Sequence, residues 1–139
     1  MTNYIYLLSF LVFSVNATTL EEQYPNFFSC KTDTYIDRIS GAVHGDYFLE
    51  RKLLPCKQDN SVAEFCVKDT FYGLPITKII IPDSYPVVAF YINLPLSKVK
   101  KTLKDKLNFN VKEMNSYTEP TIISDGKNKS ILMCDSDEQ

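Results

Sequence analysis

The chain has 139 residues, 45% of them hydrophobic and 23% charged, with four cysteines, a single histidine and a formal net charge of −2. That length suits one domain of ordinary size, with enough apolar content for a core. So slight a charge excludes a global pull toward nucleic acid, and a lone histidine excludes a metal site of the HExxH kind.

Residues Ile5 to Val15 are almost continuously apolar, and no charged side chain precedes Glu21. The run is short for a bilayer, which needs about 20 residues. Val15-Asn16-Ala17 places small residues at the two positions a signal peptidase reads. Residues 1–17 therefore read as a secretory signal peptide cut after Ala17, although only the amino terminus supplies positive charge ahead of the apolar run. The competing reading is a buried N-terminal helix or strand. A lipid anchor needs a cysteine at the cut, and the first, Cys30, lies well downstream. The expectation is an exported, soluble, single domain over residues 18–139, periplasmic or extracellular, with no transmembrane segment.

Export gives Cys30, Cys56, Cys66 and Cys134 their meaning, since an even number of cysteines in an oxidising compartment predicts two disulfides. Zinc sites bring cysteines in C-x₂₋₄-C pairs and redox sites in C-x-x-C. Nine residues separate Cys56 from Cys66, so neither a metal nor another cofactor is called for. Of three possible pairings, the polar segment "KQDNSVAEF" favours Cys56 with Cys66, because it looks like a loop with a small closing entropy. Cys30 with Cys134 follows, closing a long loop and so stabilising the fold in the chain-entropy model.

Residues 18–70 hold short apolar clusters without sustained period, and are expected to form irregular elements held by the disulfides. Within them "SGAVHGDYF" contains His44 with Asp46 two positions on. A histidine general base oriented by that carboxylate is one reading. A loop histidine between glycines is the other, and it is favoured because no G-x-S-x-G elbow or other nucleophile signature is present. In "DTFYGLPITK", Phe71 and Tyr72 form either an exposed aromatic rim or a turn whose aromatics fill the core. The second is expected, because aromatics at strand ends pack inward.

From Phe71 the pattern sharpens. "LPITKIIIP" and "YPVVAFYINLP" are β-branched and aromatic runs bounded by proline, which predicts two adjacent antiparallel strands. In the second, Val88, Phe90 and Ile92 face one way and Val87, Ala89 and Tyr91 the other, so the strand should be central. "PLSKVKKTLKDKLNF" then repeats Val99, Leu103 and Leu107 every four residues, a helix with Ser97 as its expected N-cap. "FNVKEM", "PTIIS" and "KSILMC" follow as three short strands. The order β-β-α-β-β-β predicts an α+β fold, a mainly antiparallel sheet with one helix packed on a face.

An inward apolar stripe turns Lys98, Lys101 and Lys104 to solvent, with Lys100 and Lys106 on the flanks. Lysines in the first turn oppose the helix dipole by about 0.3–1 kcal/mol each, and only Asp105 on the helix balances them. A solvated surface tolerates such a penalty; a docking face for an acidic partner is the functional alternative. Asn128-Lys129-Ser130 is a glycosylation sequon, and "CDSDEQ" is an acidic tail expected to fray.

These features predict a non-catalytic binding module, an inhibitor or immunity-type protein that occludes a protein partner with an acidic surface. The alternatives are a small secreted hydrolase-like enzyme using His44 and Asp46, and a structural envelope protein.

Overall fold

The computed structural model describes residues 16–32, 34–37, 41–59, 61–82, 87–114, 116 and 118–134. The apolar run of the expected leader lies outside these residues, as do the acidic tail beyond Cys134 and most of the turn between the two proline-bounded strands. The predicted α+β class is observed. Six antiparallel strands form the main sheet: β3 (Lys57–Gln58), β4 (Val62–Phe71), β5 (Leu74–Pro82), β6 (Val88–Ile92), β7 (Thr121–Ser124) and β8 (Ser130–Cys134). Their spatial order is β3-β4-β5-β6-β8-β7. A small separate pair joins β1 (Tyr35–Ile36) to β2 (Val43–His44).

Local chemistry sets the sheet's register. Tyr72 and Gly73 both have positive φ, 48° and 79°, the two-residue hairpin geometry that matches the natural twist of β4 and β5. In β5 a register shift between Ile76 and Lys78 changes the alternation, so that Leu74, Ile76, Ile79 and Ile81 are all buried. Strand β6 lies between β5 and β8, as its doubly apolar pattern predicts, with Val88, Phe90 and Ile92 in the core.

Three helices contribute to the core packed against the sheet: α1 (Leu20–Gln23), α2 (Asp46–Glu50) and α3 (Leu96–Leu107). Thr19 and Glu22 form a reciprocal capping box at the start of α1. Phe27 stacks on Phe90 at 5.0 Å, and Phe71 and Tyr24 approach the same ring at 4.8 and 5.4 Å. Val99 and Leu103 enter this core fully, while Leu107 is half-buried. Phe71 is therefore core, as expected, and Tyr72 is half-buried beside it.

Four local expectations need correction. Residues 18–70 are not uniformly irregular, because β4, at ten residues, is the longest strand in the sheet. Its alanine, glutamate, lysine and aspartate have weak strand preference, and pairing with β3 and β5 on either side overrides it. The segment between Cys56 and Cys66 is accordingly a strand pair, with Lys57 opposite Glu64, rather than a plain loop. "FNVKEM" makes only a single parallel bridge, Lys112 to Thr121, since Phe109 and Val111 pack toward the core instead. The N-cap of α3 is Pro95, not Ser97: its carbonyl accepts from Lys98 and Val99 at 3.0 and 3.2 Å. Asn108, with φ 51°, ends the helix in the left-handed conformation that asparagine tolerates.

Both expected disulfides are present. Cys30–Cys134 ties the N-terminal layer to the end of β8, and Cys56–Cys66 ties the approach to β3 onto β4; the Cα separations are 5.1 and 5.7 Å. Among the described residues no helix is long and apolar enough to cross a membrane.

Candidate functional site

Helix α3 presents its lysines as the periodicity requires, with Lys98, Lys101 and Lys104 all exposed. Their charge is partly taken up within the molecule. Lys101 pairs with Asp105, and Lys104 Nζ donates to Asn108 Oδ1 at 2.7 Å. Lys100 pairs with Glu113 at 2.7 Å, a counter-charge from beyond the helix that its own sequence does not reveal. Lys106 folds over the β4–β5 turn, where a Cβ at Gly73 would collide with its ammonium.

His44 and Asp46 do not form the pair that their spacing suggested. Asp37 approaches His44 instead, with Nε2 to Oδ2 at 3.9 Å, across the small hairpin. Asp46 follows the turn at Gly45 and begins α2, exposed. Asn128 stands on the exposed turn between β7 and β8, while Ser130 Oγ is buried and donates to the Leu94 carbonyl at 2.8 Å.

A concave site lies elsewhere, where α2 leaves the sheet. Phe48 and Phe65, both almost wholly buried with ring centroids 4.9 Å apart, form the floor of a cavity of about 330 Å³. Val43, Leu49, Lys52 and Leu53-Leu54-Pro55 complete its lining. Two of these leucines face water: Leu49 is 59% exposed and Leu54 84%. Burying a leucine fully is worth about 1.5–3 kcal/mol, so the fold forgoes stabilisation at this rim. Among the described residues, Lys52 is the only charged one in the lining.

The walls are held in place. The end of α2 closes with Lys52 N donating to Leu49 O and Leu53 N to Phe48 O, at 3.1 and 3.0 Å, while Lys52 takes φ 50°. That paired closure is typical of helix ends whose next residue is left-handed. Cys56 N donates to Glu64 O at 2.8 Å, and the Cys56–Cys66 bridge fastens the same segment immediately after Pro55. On the far side of α2, Tyr47 donates its hydroxyl to Asp69 at 2.7 Å, and the Arg51 guanidinium lies 4.0 Å from the centre of its ring. Burial first, and then the bond to Asp69, raise the Tyr47 phenol well above its usual ionisation range. These contacts make the cavity a preformed feature of the fold.

Sequence reasoning missed this site. Its available signal was "LERKLLPC", in which two leucines and a proline sit between a charged stretch and a cysteine, where a helix cannot continue to bury them. The chain matches no known protein family, no curated protein and no solved structure.

Proposed function

We propose that this protein is an exported, non-catalytic binding module that receives an apolar side chain of a protein partner in the cavity beside α2. The observation that carries the reading is the pair of exposed leucines, Leu49 and Leu54, at the mouth of a rigid apolar concavity. Exposed apolar rims around preformed pockets are characteristic of recognition sites, and anchors in such pockets dominate interface energies. A volume of about 330 Å³ is at the small end of ligand sites and suits one or two side chains. Lys52 at the lining favours a partner whose surface is acidic around that anchor. Two disulfides agree with an oxidising compartment and thus with export to the periplasm or the extracellular space.

The probe for a test is anilinonaphthalene sulfonate, which brightens in apolar sites. Titration should give a saturable signal with the folded protein, and the double variant Leu49→Asp/Leu54→Asp should lower the affinity at least about tenfold, since two carboxylates replace apolar surface at the mouth and repel the anionic probe. Its near-ultraviolet circular dichroism should be unchanged, because both side chains are already in water. Equal affinity in the variant would remove the cavity from the function.

A further inference from the structure

The start of the expected mature chain is gripped by a single carboxylate. Thr18 N donates to Glu50 Oε2 at 2.7 Å, and Thr18 Oγ1 donates to Glu50 Oε1 at 2.9 Å. One residue therefore occupies both oxygens of a side chain 32 positions away. The next residue, Thr19, already caps α1, whereas Asn16 and Ala17 are exposed. The sequence places the leader cut between Ala17 and Thr18, on the strength of small residues at Val15 and Ala17 that have no bearing on Glu50. Two unrelated observations thus meet at the same peptide bond.

We propose that leader removal makes Thr18 the first residue and that its new α-ammonium group docks on the Glu50 carboxylate. The inference rests on the export reading. Hydrolysis of the Ala17–Thr18 bond by a leader peptidase consumes one water, leaves a carboxylate on Ala17 and gives Thr18 a protonated amine. An amide N–H that already points at Glu50 becomes a cationic donor in the same place. A bond to an ionised carboxylate is already charge-assisted, and an ammonium donor adds direct Coulomb attraction between the two groups. Arg51 also acts on this carboxylate and helps keep it ionised, while its own positive charge competes with the ammonium for the same anion. Glu50 is the last residue of α2, whose Phe48 and Leu49 face the cavity, so processing fastens the helix that walls the binding site.

The test is made on protein recovered after secretion of the full 139-residue chain. Intact mass and N-terminal sequencing should place Thr18 first. Trace acylation with acetic anhydride near pH 7 should then modify the α-amine of the wild-type protein about fivefold more slowly than that of Glu50→Gln, because a docked ammonium holds its proton above the usual 7.7–8.0 range. If the glutamine variant does not fold, the comparison is the same amine in wild-type protein unfolded in urea with its disulfides intact. An exported product beginning elsewhere, or equal acylation rates, overturns this proposal alone. Retention of the whole chain inside the cell overturns the export reading as well.

Discussion

The two disulfides should separate stability from binding when each is replaced by a pair of alanines. Cys30–Cys134 spans 104 positions and Cys56–Cys66 spans 10. Loop-closure entropy then assigns about 4.8 kcal/mol to the first and about 2.7 kcal/mol to the second at 25 °C. Both members of the long-range pair are buried, so Cys30→Ala/Cys134→Ala also leaves a small void between the N-terminal layer and β8. Set against a typical total of about 5–15 kcal/mol, that variant should be marginal or substantially weakened, whereas Cys56→Ala/Cys66→Ala should remain clearly folded. Affinity for the apolar probe should run in the opposite order. The bridge next to Pro55 fixes a cavity wall, and its loss should weaken probe binding several-fold, while loss of Cys30–Cys134 should leave binding to the folded fraction unchanged. Urea denaturation followed by far-ultraviolet circular dichroism, with probe titration on the same samples, measures both quantities. Larger destabilisation from the short loop, or undiminished probe affinity without Cys56–Cys66, would refute the reasoning.

Alkaline pH should destabilise the fold. Burial raises Tyr24 and Tyr47 above their usual value of about 10, so between the unfolded and folded values the native state keeps protons that the unfolded chain releases. Stability is full below pH 10 and falls as the pH rises beyond it, and Tm measured from pH 8 to 11 should drop less steeply once Tyr47 is phenylalanine. At neutral pH Tyr47→Phe should cost about 1.5–3 kcal/mol in urea unfolding, the worth of a hydrogen bond to the charged Asp69, and an unchanged midpoint would contradict the anchoring of α2. Lys98→Glu/Lys101→Glu/Lys104→Glu should leave probe affinity within about twofold and stability within about 0.5 kcal/mol. The more favourable dipole near the helix start is offset there by the lost Lys101–Asp105 pair. His44→Ala should likewise leave probe binding intact, and a large loss with preserved folding would move attention to the Asp37–His44 pair.

The C-terminal half was the legible part of this chain, because its elements carry their own periodicity. Ile79, Ile81, Val88, Phe90 and Ile92 alternate or run apolar as buried strands do, and Val99 and Leu103 repeat as a helix does. The N-terminal half was not, since the valines and phenylalanines of β4 are interspersed with weak strand formers and a register shift between Cys66 and Asp69 breaks its alternation. Both pairings followed from spacing and loop length. The cavity was illegible for a related reason: Val43, Leu49, Leu54 and Phe65 come from β2, α2, the loop after it and β4, and only the tertiary arrangement brings them together. The lysine helix was visible in sequence, but its internal partners Asn108 and Glu113 were not; Glu113 offsets the charge of Lys100, and Asn108 holds Lys104 by a hydrogen bond.

The central claim is that recognition occurs at the cavity beside α2 and not on the face of α3. Chemical-shift mapping during titration with anilinonaphthalene sulfonate tests it most directly, because every backbone amide reports its own surroundings. The amides of Gly41 to Val43, Leu49 to Leu54 and Phe65 should shift together along one saturating curve. Shifts concentrated on Leu96 to Leu107, with the cavity amides still, would contradict the account.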